Sequence, residues 1–228
     1  MLEIVRDMLE ERQSDLERMY ALSEYVGSKL DRVDLEDFTD EEKYLFDDAT
    51  ANTLKSSIYM CCYNLVECIS RECVNSIYDY LSDNEVSYSE LRASFQKHLW
   101  DCAVKNNKSG KQLHKDVNND FEALFARATL DVEKVFNGNV DKRKIRLCFE
   151  QYGVDIQAGE ESRRGEDLVT LKEYRNALAH GEKSFSQQGA MDTLESTIEM
   201  SKRITVFMNS LIFSVEQYLE KEHYKAPM

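Results

Sequence analysis

A single proline and eight glycines in 228 residues leave this chain few places where a helix must stop. Proline costs about 3 kcal/mol in a helix interior and glycine about 1 kcal/mol. A sequence nearly free of both is expected to form long, uninterrupted helices with little β-structure. Its runs are rich in Leu, Glu, Lys, Arg and Met, all good helix formers. With 42% hydrophobic residues, the length suits one sizeable core, or one domain with a helical extension. The expected fold class is all-α.

Hydrophobic period places the elements. LEIVRDMLEERQSDLERMYALSEYVGSKL (2–30) carries apolar residues at Ile4, Met8, Leu16, Tyr20 and Leu22, near helical spacing. It reads as an amphipathic helix packed on the body, or as an oligomer contact. The acidic connector DRVDLEDFTDEE separates it from a helical pattern over about 41–81. The centre of that pattern is apolar around much of its circumference, as in a helix at the middle of a bundle. After SDNEVS a further helix is expected in SYSELRASFQKHLWDCAVK, with Ser87 or Ser89 as its cap. KNNKSGKQLHKDVNND (105–120) is the clearest loop, and FEALFARATLDVEKVFNG suggests a short helix and a turn at Asn137-Gly138. NVDKRKIRLCFEQYG reads as a basic amphipathic helix closed by Gly153. DIQAGEESRRGE is a second loop, followed by a helix over 168–180 with Asp167 as its cap. The last helix is expected behind a capping box of Asp192 and Glu195. Its apolar stripe is Leu194, Ile198, Phe207, Leu211, Val215 and Leu219.

The formal net charge of −14 argues against a passive nucleic-acid coat, which carries an overall basic balance. It leaves room for an enzyme that engages RNA through a local basic cleft. The cysteines (Cys61, Cys62, Cys68, Cys73, Cys102 and Cys148) show no CxxC pair and no zinc-site spacing. Four of them crowd one helical run and read as small buried apolar residues, with a reducing compartment as the default. The charged opening MLEIVRDMLEERQ is unlike a signal peptide, and no apolar run approaches the roughly 18 residues of a membrane span. A cytoplasmic protein without membrane association, metal or cofactor is expected.

The stretch KEYRNALAHGEKSF (172–185) carries the chemistry. Arg175 and His180 are five residues apart, about 140° around an ideal helix. They cooperate only if the helix ends or distorts near His180. Gly181 supplies the means, since glycine readily takes the left-handed conformation that closes a helix. Imidazole ordinarily exchanges a proton near neutrality. A guanidinium grips a phosphate with two parallel hydrogen bonds and stabilises charge developing at phosphorus. RNA cleavage by its own 2′-hydroxyl needs a base, a cation and an acid. It needs no metal if these are held across the scissile phosphate, and two copies of the pair in a dimer supply more such groups. A second arginine–histidine spacing, Arg92 to His98, lies about 240° apart inside a helix and reads as surface charge beside Trp100.

LKEYRNALAHGEKSF resembles the signature of the HEPN superfamily, all-helical domains bearing an Arg-x4–6-His motif, many of them RNases. LAHGEKSFS, with LVECISRECVNSIYDYL and VSYSELRASF upstream, is similar to a prokaryotic branch, the MAE-type HEPN nucleases. The resemblance covers about residues 50–220. It implies a HEPN-like bundle of four to five helices over 41–228, with long loops and with residues 1–40 as an N-terminal helical extension packed on the body. It also implies a homodimer whose two motifs face each other in one composite cleft. The implied activity is metal-independent endoribonuclease cleavage, leaving a 2′,3′-cyclic phosphate and a 5′-hydroxyl. The implied role is that of a toxin or anti-phage defence effector, with RNA as substrate and a cognate antitoxin or companion defence protein as partner.

Arg175 and His180 carry over as catalytic, and Asn176 as the polar residue that orients the pair or the phosphate. Glu182 stands where some HEPN toxins carry a tyrosine modified by a nucleotidyltransferase antitoxin, which argues against that route of neutralisation. Glu67, flanked by Asn64 and Arg71 on the long helix, either completes the site or is an interhelical polar contact. Lys105, Lys108, Lys111 and Lys115, the 142–146 cluster, and Arg163 with Arg164 either steer RNA or are solvated surface. The alternative function is a non-catalytic HEPN module that binds RNA, a nucleotide or a partner protein. A helical scaffold would leave the arginine–histidine pair unexplained.

Overall fold

The computed structural model describes residues 2–30, 39–106, 136 and 138–226. The helices are α1 (Glu3–Leu30), α2 (Asp40–Leu45), α3 (Asp48–Asp83), α4 (Ala93–Asn106), α5 (Lys142–Tyr152), α6 (Asp167–Ala179), α7 (Phe185–Gly189) and α8 (Leu194–Glu220). Short 3₁₀ turns occupy Tyr88–Glu90 and Glu160–Gly165. Among the described residues there is no β-strand, only an isolated antiparallel bridge between Leu91 and Lys225. The all-α expectation holds. Among the described residues, no helix is long and apolar enough to cross a membrane.

Several boundaries differ from the expectation for local reasons. The pattern over 41–81 is broken at Phe46-Asp47, where Phe46 leaves helical geometry and the Asp47 carboxylate accepts the Thr50 N–H at 2.7 Å. Ser87 caps a 3₁₀ turn rather than α4, and its N–H and hydroxyl both donate to Glu90 Oε2. The last helix is capped by Thr193, whose hydroxyl accepts the Ser196 N–H at 3.1 Å. Asp192 is engaged elsewhere, by Tyr59. On α5 the expected closure holds, with Gly153 at φ 87°, and Asp141 caps the other end by accepting the Lys144 N–H. The buried seam of α1 is Leu2, Val5, Leu9, Leu16, Ser23 and Val26, with Arg12 and Met19 half-buried between them. That three-four spacing is the 3.5-residue repeat of a packed helix seam. It leaves Ile4 72% and Leu22 46% exposed, so of the expected stripe only Leu16 is fully buried.

The chain divides into two compact units that interleave in sequence. Unit 1 takes residues 1–6, 67–158 and 208–228, and unit 2 takes 7–66 and 159–207. In unit 1 the core is aromatic. The Tyr152 ring lies edge-on to Tyr78, Phe95 and His98, with centroids 5.8, 5.0 and 4.8 Å away. Its carbonyl accepts from Tyr218 Oη at 2.7 Å. Arg92 is half-buried and donates to the carbonyls of Gly153 and His223, while His98 Nε2 is 3.2 Å from Tyr152 Oη. The Arg92–His98 pair is therefore part of the packing of this unit rather than surface charge.

In unit 2, α1 lies against α8 through Tyr20 Oη and Ser201 Oγ, 2.5 Å apart. The α7 turn packs onto the start of α3. Ser56 donates to the Phe185 carbonyl at 2.6 Å, and a Cβ on Gly189 would lie 1.8 Å from the Asn52 carbonyl oxygen. The six cysteines are free thiols. Burial pushes Cys61, Cys62, Cys73 and Cys148 upward from the ordinary thiol range, Cys148 to about 12.

Candidate functional site

The motif helix α6 belongs to unit 2 and is held at both ends. Three successive residues before it, Arg163, Arg164 and Gly165, take left-handed geometry at φ 48°, 51° and 81°. At Gly165 this conformation is packed tightly, since a Cβ there would lie 2.6 Å from the Phe207 ring. Glu166 is already helical (φ −60°, ψ −35°), so α6 is entered without an extended cap residue. Asp167 is thus not the cap expected from the sequence. It sits in the first turn, buried, and accepts from Arg163 Nη1 at 2.9 Å and Arg203 Nε at 2.6 Å. Arg164 pairs with Glu160 on the surface.

The other end closes as its sequence requires. Gly181 is left-handed at φ 71°. Its N–H donates to the Leu178 carbonyl at 3.2 Å, and Glu182 N–H donates to the Ala177 carbonyl at 2.9 Å. These are the two bonds of a Schellman closure, which satisfies carbonyls a helix end otherwise leaves open. His180 is the last residue before the reversal and is exposed, with its own N–H bonded to the Asn176 carbonyl at 2.9 Å.

Arg175 is half-buried, one and a half turns upstream. Its guanidinium lies over the Tyr63 ring, 5.2 Å from the centroid, and its Nη1 donates to Asn176 Oδ1 at 3.2 Å. A cation over an aromatic face in a partly desolvated place gains about 0.5–2 kcal/mol. Beside it, Tyr174 meets Tyr59 edge-on at 5.0 Å. Tyr59 Oη donates to Asp192 Oδ2 at 2.8 Å and shares a 2.9 Å hydrogen bond with Thr197 Oγ1. Burial, then the hydrogen bond and charge of Asp192, push the Tyr174 phenol up to about 12. Lys55 Nζ donates to the Asp192 carbonyl at 2.8 Å, and burial lowers its pKa.

The residues that seat the motif are therefore Tyr59, Tyr63 and Asp192, none of them anticipated as such. The available signal was Tyr59 and Tyr63 one helical turn apart on α3. That spacing is equally that of an ordinary core stripe.

The remaining sequence candidates fall as follows. Asn64 is exposed on α3, next to Tyr63. Glu67 and Arg71 belong to unit 1, where Glu67 accepts the Gly138 N–H at 2.6 Å and so makes a polar contact with a turn. Lys105 is exposed near the end of α4, while Lys108, Lys111 and Lys115 lie outside the described residues. Among the described residues, no cluster of three or more His, Cys, Asp or Glu side chains has the geometry to hold a metal ion.

No curated protein and no solved structure matches the chain. A family model, that of the MAE_28990-like HEPN domains, matches residues 1–224 and takes in α1 as well as the motif helix. HEPN domains are all-helical, nuclease-like or RNA-related, and commonly dimerise. With nearly its whole length matched, the chain belongs to the MAE-type HEPN family.

Proposed function

We propose that the protein is a metal-independent endoribonuclease and that Arg175, Asn176 and His180 act on the scissile phosphate. The observation that carries this reading is the Schellman turn at Gly181, which ends α6 with His180 exposed one and a half turns from an arginine seated on Tyr63. The imidazole is accessible to exchange a proton with substrate. The guanidinium, with one face against an aromatic ring, is pre-oriented and loses less freedom on gripping a phosphate. Asn176, bonded to Arg175, orients it.

In the reaction the 2′-oxygen loses its proton to a base and bonds to phosphorus. The bond from phosphorus to the 5′-oxygen breaks, and an acid protonates the departing oxygen. Arg175 stabilises the charge on the phosphorane. The products are a 2′,3′-cyclic phosphate and a 5′-hydroxyl. A homodimer with two facing motifs supplies one imidazole as base and the other as acid. A toxin or defence role in the cytoplasm, restrained by an antitoxin or companion protein, extends the reading through the family resemblance.

The test is incubation of the protein, His180→Ala and Arg175→Gln with a labelled RNA pool in the presence of EDTA. Cleavage by the wild type alone, with cyclic-phosphate ends, is the expected result. A His180→Ala chain that cuts as well as the wild type overturns the assignment. RNA binding without any cleavage favours the non-catalytic module. Sedimentation of the free protein tests the dimer.

A further inference from the structure

Unit 1 contains two guanidiniums that no interaction accounts for. Arg71 on α3 and Arg146 on α5 are each half-buried, and each hides its Nε from solvent without a hydrogen-bond partner. Neither forms an ion pair with any described residue. A buried guanidinium N–H without an acceptor leaves hydrogen-bonding capacity unmet, at a cost in stability. In a chain of net charge −14, that isolation does not come from a shortage of carboxylates.

Both arginines belong to one part of the unit. Glu67 accepts the Gly138 N–H, and Tyr78 Oη donates to Tyr152 Oη at 3.3 Å. Residues 67 and 78 share one face of α3, and Arg71 lies on that face, about 40° from Glu67 and 20° from Tyr78. The two contacts run α3 and α5 in the same direction and set Arg71 level with the first turns of α5. Those turns read KRKIR, from Lys142 to Arg146. Their helix end adds the positive pole of its dipole. Two carboxylates nearby each accept a backbone N–H, Glu67 that of Gly138 and Asp141 that of Lys144.

We propose that Arg71 and Arg146, with the amino end of α5, bind the phosphodiester backbone of an RNA strand. The site belongs to the unit that does not hold the Arg175–His180 motif. Phosphate suits it because a guanidinium offers two parallel donors to a pair of phosphate oxygens. A bound anion also supplies the hydrogen-bond acceptor that neither Nε has. The choice of RNA as ligand rests on the ribonuclease reading; the anion site does not.

The test uses full-length His180→Ala protein and a fluorescein-labelled single-stranded oligoribonucleotide, titrated by anisotropy at several salt concentrations. Replacing both arginines with glutamine is expected to weaken binding roughly tenfold or more. The slope of log affinity against log salt is expected to fall by about one to two. Arg18→Gln, an exposed cation on α1, is expected to leave both quantities unchanged. The thermal midpoint of the double variant is expected to hold or rise, since two buried N–H groups without an acceptor are removed. If the glutamines unfold the chain, the double lysine variant replaces it, with a loss of about threefold expected because the fork is gone and the charge is kept.

Wild-type affinity and slope in the double variant overturn the proposal. RNA is overturned as the ligand if the wild type binds none while inorganic phosphate raises its thermal midpoint but not the double variant's. With His180 intact, the double variant is expected to raise KM and leave kcat unchanged. Should His180→Ala cut normally, the catalytic reading falls and the anisotropy result still decides this site.

Discussion

The Arg175 guanidinium lies over the ring of Tyr63, 5.2 Å from its centroid, in the one helix whose far end presents His180. Through this contact α3 seats the motif by the face of the guanidinium. Tyr63→Phe keeps the aromatic face and is expected to retain most of the RNA-cleaving rate. Tyr63→Leu removes an attraction of about 0.5–2 kcal/mol on Arg175 and is expected to lower the rate about two- to thirtyfold. Single-turnover cleavage with parallel thermal melts checks this, and equal rates in the two variants at equal folded fraction refute it.

Two glycines near the motif are required for different reasons. Gly181 has open space where a Cβ would stand but a φ of 71°, so Gly181→Ala is expected to cost about 1–2 kcal/mol, through backbone strain alone. Gly189 has an ordinary φ, yet its Cβ would meet the Asn52 carbonyl oxygen at 1.8 Å. Gly189→Ala must force α7 off α3 and is expected to cost about 2–3 kcal/mol or more. Urea unfolding gives both values, and the opposite order would refute the two mechanisms.

Asp167 joins Arg163 and Arg203 from a buried position. Asp167→Asn keeps the shape but takes the counter-charge from Arg163 and leaves Arg203 with Glu199 alone, 3.7 Å away. Because the Arg163 and Arg203 side chains are 59% and 28% exposed, water offsets part of the loss. A destabilisation of about 1–3 kcal/mol is expected by denaturant unfolding. The tandem left-handed arginines would lose one anchor, so faster proteolysis around residues 163–165 should accompany it.

Burial raises the phenols of Tyr20 and Tyr174 from near 10 to about 12. Between those values the folded chain holds more protons than the unfolded one, so stability present below pH 10 is lost as pH rises towards 12. Tyr174→Phe removes one such group and is expected to flatten the fall of the urea midpoint across that window. A slope identical to wild type would show that Tyr174 does not titrate this way.

Much of the fold was legible because its signals are local. The scarcity of proline and glycine called for long helices, and Gly153 and Gly181 both close helices at positive φ where their sequence context placed them. What was misread depends on partners distant in sequence. Asp167 and Asp192 look like helix caps from their neighbours alone. Each is instead claimed by a distant side chain, Arg203 in one case and Tyr59 in the other. A short carboxylate suits either role, and only the packing of α3, α6 and α8 chooses between them. The same reason hid the seam of α1: several apolar registers fit its composition, and the packed face selected the one through Val5, Leu9 and Leu16.

The sequence by itself determined the helical class, the Arg-Asn-x3-His motif and the point at which α6 must stop, since each rests on residues adjacent in the chain. The tertiary structure alone decided that Arg175 stands on Tyr63, more than a hundred residues away, and that the Nε of Arg71 and of Arg146 is buried without an acceptor. Such facts arise only when helices far apart in sequence are brought together. Burial and pairing are properties of the packed neighbourhood, and no periodicity along one strand of sequence encodes which side chain the other helix will offer.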